Sequence, residues 1–283
     1  MRIDELLAAG PTRSFEFFPP KSDEESATLA ASLEDIQPLQ PSFVSVTYRG
    51  GPESRQRTFD LVTQIERDGY VTAMAHVICV GHTRAEMRDL LKNYSDAGVQ
   101  NIMALGGDIP DDPIAAHSEF EHAIDLIALT REMGNFSVGV AAHPAGHPRS
   151  PDLASDRLFL AEKLALADFA VTQFFFEASE WTHLVAELAE LGVTKPVLPG
   201  IMPVTTITGI ERMKVMGAAV PPALVDRLLD ADRRGGAKEV RAEGIRAATE
   251  LCQELMHEHA PGLHFYTLNR STATSEIYHA LFE

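Results

Sequence analysis

The stretch Ser137–Phe176, SVGVAAHPAGHPRSPDLASDRLFLAEKLALADFAVTQFFF, sets two strand-like runs around one helical segment. Ser137–His143 and Phe169–Phe176 are short and apolar, rich in residue types that favour strands. Between them, Asp156–Ala167 repeats Leu160, Leu164 and Ala167 at helical spacing. The same alternation extends in both directions. Ser14–Phe18, Phe43–Tyr48, Thr72–Cys79 and Asn101–Leu105 come before it, and Pro196–Met202 and Leu263–Leu268 come after it. Helical periodicity fills the intervals at Arg84–Ala97, Glu119–Met133, Trp181–Leu191 and Ala237–His257. Pro221–Gly236 reads as an extra helix within the seventh crossover. Eight strands alternating with helices predict an α/β fold, an all-parallel sheet closed into a (β/α)8 TIM barrel. An open doubly wound sheet is the rival, weakened because no GxGxxG follows the first strand. No linker or composition break divides residues 1–283, which read as a single domain.

The bulk numbers bound the function. The chain has 283 residues, 45% of them hydrophobic, and a formal net charge of −17. A surface this acidic disfavours nucleic acid and anionic membrane as partners, and any anionic ligand needs a local basic pocket. The plainer meaning of the charge is solubility. Two cysteines, Cys79 and Cys252, lie far apart in sequence, which points to a reducing, cytoplasmic compartment rather than a disulfide framework. The opening MRIDELLAAGPTR carries acids and no long apolar run, so it does not read as a signal peptide. No apolar run is long enough to span a bilayer.

A barrel places its chemistry at the carboxyl ends of its strands. Strand alternation puts Glu16 on the face opposite Phe15 and Phe17, hence inside the barrel. A carboxylate among apolar neighbours is expected to have a raised pKa, suited to a general acid. The competing reading is a structural Glu paired with an internal Lys or Arg. Asp108 follows the fourth strand in ALGGDIP, where two glycines allow close backbone approach to a ligand, or simply make a turn. Gln173, inside an apolar strand, either binds ligand or bridges strands. His76, His143 and His147 lack metal spacing, and a lone strand histidine is usually a satisfied core residue. Arg270, after the eighth strand, suits recognition of a substrate carboxylate or phosphate, or a salt bridge closing the barrel. Motifs for nucleophilic or phosphoryl-transfer chemistry are absent.

SFEFFPPK (14–21), FVSVTY (43–48), AH (75–76), ALGGD (104–108), AAHPAGHP (141–148), VTQFFF (171–176), PGIMPV (199–204) and HFYTLNR (264–270) occur in that order. Together they resemble the methylenetetrahydrofolate reductase family, in its short bacterial form without a regulatory domain, over nearly the whole chain. The resemblance implies that NADH or NADPH reduces bound FAD, which then reduces 5,10-methylenetetrahydrofolate to 5-methyltetrahydrofolate. It makes Glu16 the acid that opens the bridging ring of the folate, and it places Asp108 by the flavin and the pterin. Gln173 and Arg270 would bind the substrate. The positions matching the flavin site are Thr47, Tyr48, Gly50, His76, Gly106, Gly107, Asp108, His143, His147, Asp156 and Lys163. Homo-oligomers are common in the family, so one is expected here.

Several positions depart from the family pattern. Gly106 stands where an Arg is common, His143 where Tyr or Phe is, Ala145 where Glu is, and Ile207 where some members place an aromatic. Losing the Arg removes a charge-assisted contact of about 1.5–3 kcal/mol, so weakly held FAD is expected. The alternatives to the flavin enzyme are a flavin-independent folate reductase and a non-catalytic folate- or nucleotide-binding barrel.

Overall fold

A computed structural model describes residues 1–48, 52–108 and 118–283. Its strands β1 (Thr12–Phe17), β2 (Phe43–Val46), β3 (Thr72–Ile78), β4 (Asn101–Leu105), β5 (Ser137–Ala142), β6 (Phe169–Phe174), β7 (Val197–Ile201) and β8 (Gly262–Tyr266) close in sequence order into one barrel. Every pairing, including β1 with β8, is parallel. The expected (β/α)8 architecture is therefore the observed one.

The strand-like runs overshoot the ladders. Thr47, Tyr48, Cys79, His143, Phe175, Phe176, Met202 and Thr267 continue the runs but lie past the last ladder residue. They belong to the loops at the carboxyl ends, where side chains are free to serve a ligand. Only Asn101–Leu105 keeps the bounds read from sequence.

Helices α1 (Ile3–Ala9), α2 (Asp23–Ile36), α3 (Pro52–Asp68), α4 (Arg84–Asp96), α5 (Ala123–Met133), α6 (Leu153–Leu166), α7 (Ala178–Glu190), α8 (Ile207–Met216), α9 (Pro222–His257) and α10 (Thr272–Phe282) complete the described elements. Capping explains several boundaries. Thr83 caps α4, with Glu86 closing the box, and Asp152 accepts from Ser155 N–H, so α6 starts earlier than its apolar periodicity indicates. Helical residues run on through α9, but Gly235 and Gly236 break it, dividing the extra helix from the last crossover. At Gly236, φ is 66° and ψ is −152°, a region that a residue with a Cβ avoids. Among the described residues no helix is long and apolar enough to cross a membrane.

Period-two alternation sorts the strands into two faces. Phe15, Phe17, Val44, Val46, Ala75, Val77, Val138, Val140 and Phe265 pack outward against the helices. Phe43, Met74, Met103, Phe169, Val171 and Leu198 fill the amino-terminal half of the barrel interior, and Ile3 of α1 joins them as a plug. Fully buried Asn101 fastens the plug. Its Oδ1 accepts from Ile3 N–H at 2.8 Å, and its Nδ2 donates to the Met1 carbonyl at 3.0 Å and the Ala73 carbonyl at 3.2 Å. Asn101→Ala leaves the Ile3 N–H without a partner and is expected to cost about 1–3 kcal/mol in urea unfolding. An unchanged midpoint would show that the plug needs no such fastening.

Candidate active site

Above the apolar plug the interior turns polar. Glu16 pairs in register with Ser45 on one side and Tyr266 on the other, while Ser14 pairs with His264. Glu16, 9% exposed, points inward as strand alternation predicts. It has no internal Lys or Arg partner among the described residues. Its Oε2 instead lies 3.3 Å from His76 Nε2 and 3.5 Å from His264 Nε2, and it accepts from the Ser45 hydroxyl at 3.4 Å. His264 Nδ1 in turn meets the Ser14 hydroxyl at 2.8 Å. Tyr266 closes the group, donating its hydroxyl to the Thr172 carbonyl at 2.7 Å, with its ring edge-on to His264.

This surrounding corrects the expectation of a raised Glu16 pKa. Burial does push the carboxyl upward, as the largest single influence. The His76 charge and the contacts with His264 and Ser45 together outweigh it and hold Glu16 below the ordinary carboxylate range. Burial pulls His76 down, and the Glu16 charge opposes that only in part. His76 Nε2 also makes no hydrogen bond. Its relation to Glu16 is one of charge and proximity.

A second group lines the mouth between β5 and α6. His143 and His147 meet edge to face, 4.7 Å between ring centroids. Burial, with His147 and Lys163 adding to it, pushes His143 down to about 4, so this imidazole is neutral near pH 7. Lys163 reaches in from α6 and donates to the Ala141 carbonyl at 3.1 Å. Burial lowers its pKa, opposed by the Asp156 charge. Asp156 is committed to the loop: its Oδ1 accepts from His147 N–H at 3.0 Å and from the Ser150 hydroxyl at 2.8 Å, and its Oδ2 pairs with Arg157 at 3.1 Å. Asp156 thus shapes the loop that presents His147. Beside this group, after β4, Gly107 takes φ +85°, and a Cβ there would meet Val80 Cγ1 at 2.7 Å, so the turn before Asp108 requires glycine. Asp108 itself is exposed at the rim, where its charge acts on His147.

Thr47 and Tyr48 end the second run. Thr47 Oγ1 is buried without a hydrogen-bond partner among the described residues, whereas the Tyr48 hydroxyl meets His82 Nε2 at 3.0 Å. Gly50 lies outside the described residues. Gln173 donates to the Met216 carbonyl at 3.1 Å and accepts from Phe174 N–H at 3.0 Å, tying β6 to the end of α8. Arg270 is exposed beyond Leu268 and Asn269, both left-handed with φ of 51° and 60°. The Asn269 side chain locks this turn to β1, accepting from Phe18 N–H at 2.7 Å and donating to its carbonyl at 2.9 Å. Two consecutive left-handed non-glycine residues are strained backbone held in place by its surroundings. Here that backbone holds Arg270 at the mouth.

The profile of the family described as methylenetetrahydrofolate reductase matches residues 2–282. The chain belongs to the methylenetetrahydrofolate reductase family. The 5,10-methylenetetrahydrofolate reductase of Salmonella typhimurium is 33% identical over 272 residues, covering 95% of this chain and 90% of that protein. Its counterpart in Escherichia coli K12 is 33% identical over 269 residues, with the same coverage. A protein of Clostridium thermocellum, described as binding two copies of 5-methyl-5,6,7,8-tetrahydrofolic acid, superposes with a TM-score of 0.71 at 13% identity, covering 98% of this chain and 96% of that one. That likeness shows the fold alone. Family membership makes the chain an oxidoreductase acting on methylenetetrahydrofolate.

In this member of the family, the residues read from sequence fall into separate places. Glu16 and His76 meet inside the barrel, while His143, His147, Asp156 and Lys163 cluster at the mouth. Asp108 shares the mouth and not the Glu16 pocket. Sequence reasoning missed His264, Ser14, Ser45 and Tyr266. Strand alternation could have found them, because Ser14 and Glu16, like His264 and Tyr266, sit two apart on inward positions. Arg149 was missed as well. It leaves no mark in the sequence, since only the folded loop brings its guanidinium to Gly106, where Nη2 would lie 3.4 Å from a Cβ at that position.

Proposed function

We propose that the chain reduces 5,10-methylenetetrahydrofolate to 5-methyltetrahydrofolate with NADH or NADPH through bound FAD, with Glu16 as the general acid. The observation that carries this reading is a buried carboxylate inside the barrel, with Lys163 reaching the Ala141 carbonyl and Arg149 the Gly107 carbonyl at the strands' carboxyl ends, in a chain of net charge −17. The rim residues fit a flavin dinucleotide. Lys163 and Arg149 have no carboxylate within ion-pair distance among the described residues, so both can pair with a diphosphate. The unpartnered Thr47 hydroxyl supplies a buried hydrogen-bonding atom at the same end. Held by Lys163, Arg149 and Thr47, FAD would supply hydride-transfer chemistry between the nicotinamide and the folate. Glu16 supports that transfer by placing a proton on the folate nitrogen that leaves the bridging carbon, which makes that carbon electrophilic. Gln173, Asp108 and Arg270, which follow or end β6, β4 and β8 on the same side of the barrel, would orient the pterin and the glutamate tail. The apolar plug beneath Glu16 keeps bulk water from entering from the other end.

Freshly purified protein should show a flavin band, or gain one on addition of FAD, that NADH bleaches. A colourless protein that neither takes up FAD nor turns over would contradict the reading. Lys163→Met removes the buried cation and is expected to weaken FAD binding by about tenfold or more, the scale of one charge-assisted contact. Quenching of flavin fluorescence on titration measures it, and unchanged affinity would remove Lys163 from the site. One observation favours a second reading: Gly106 itself offers no side chain to the ligand. Turnover by a preparation free of flavin would establish direct transfer from the nicotinamide.

A further inference from the structure

A general acid buried inside a barrel must be reprotonated after each turnover, and Glu16 is held as a carboxylate by its neighbours. The groups facing it are few. His76 comes from β3, His264 and Tyr266 from β8, and Ser45 supplies a hydroxyl from β2; in register against His76, β4 sets Met103. The Tyr266 hydroxyl is occupied by the Thr172 carbonyl. His264 Nδ1 is occupied by Ser14. His76 Nε2 is buried, has no hydrogen-bond partner among the described residues, and lies 3.3 Å from Glu16 Oε2.

We infer that His76 is the proton store of the site, a positioning residue that acts through Glu16. It accepts a proton from water and, once protonated and turned into line with Glu16 Oε2 3.3 Å away, hands it to the carboxylate. The inference rests on the reading of Glu16 as proton donor. The step balances simply: imidazolium and carboxylate become imidazole and carboxylic acid. The acid then gives the same proton to the folate nitrogen, and one proton enters from solvent per cycle. A cluster of one carboxylate and one imidazolium carries no net charge, so burial favours it over a bare carboxylate. Ser14 fixes the other side. When its hydroxyl donates to His264 Nδ1, the proton sits on Nε2 and faces Glu16, which holds the carboxylate still while His76 exchanges.

The place where the first proton binds decides the matter, and it can be read on the free protein without turnover. Histidine labelled with ¹⁵N and glutamate labelled with ¹³C at the carboxyl report the protonation of His76 and Glu16 by NMR during an acid titration. In the wild type the first proton is expected on His76, with Glu16 still a carboxylate. In Glu16→Gln, which keeps the side-chain shape, His76 loses the anion that supports its charge and should stay neutral to lower pH, by at least about one unit. In His76→Gln, the Glu16 carboxyl loses its opposing charge and should bind the proton itself, at higher pH than a free glutamate. Wild-type protein that protonates Glu16 before His76 would overturn the inference, as would a His76 titration identical in wild type and Glu16→Gln. Failure of the folate reaction itself would show separately, as an absence of turnover in the wild type.

Discussion

Glu16→Gln is expected to lower kcat for methylenetetrahydrofolate reduction by about 10²–10⁴-fold, the usual contribution of a positioned general acid. The amide keeps the volume, so the barrel interior stays packed, and it keeps an oxygen facing His76 and His264. It cannot give up a proton to the folate nitrogen. On the proposed flavin route, reduction by NADH requires no proton from this position and should proceed. The variant therefore separates the two halves of the reaction: the flavin bleaches, and its reoxidation by folate stalls. Equal loss in both halves would mean that Glu16 supports the fold or the flavin rather than the acid step. The pH at which the wild-type folate half-reaction fades should reflect the carboxylate–imidazole pair as a unit, since the two groups share one proton.

Gly244→Ala should be strongly damaging for a single added methyl, costing about 3 kcal/mol, at the upper end for overpacking. Gly244 lies buried in α9 where that helix crosses the segment after β7. A Cβ there would sit 1.9 Å from the Val204 carbonyl oxygen and 2.7 Å from its carbon. The obstacle is backbone, so no side chain can rotate away. Alanine in place of glycine inside a helix ordinarily gains about 1 kcal/mol, and the clash reverses that sign. Thermal unfolding should shift down by on the order of 10 °C for a chain of this size. A midpoint that stays level or rises would show that α9 can lift off Val204 without loss.

How much of this was legible in the sequence varies with the kind of information. The barrel was legible because each strand is a short apolar run bounded by turn residues, and eight such runs with helical crossovers admit few closures. The strand ends were not. Thr47, His143 and Thr267 carry the same strand-favouring chemistry as the ladder residues before them, and only the hydrogen-bond pattern separates them. Helix α1 was missed because its short stretch has little periodicity of its own; burial of Ile3 against Phe43 and Met103 gives it a place. Glu16 was legible from alternation, but its charge state was not. That depends on His76 and His264, which lie far off along the chain and arrive beside it only when β3 and β8 close around β1. Asp156 shows the same limit in reverse. Its sequence position suits the flavin, while its oxygens are spent on His147, Ser150 and Arg157.

The most direct measurement follows the flavin band of the FAD-loaded protein under anaerobic conditions, first with NADH and then with 5,10-methylenetetrahydrofolate. The band is expected to bleach with NADH and return when the folate is added, quickly in the wild type and about 10²–10⁴ times more slowly in Glu16→Gln. A wild-type band that NADH bleaches but the folate never restores, or one restored equally fast in both proteins, would contradict the proposed reaction.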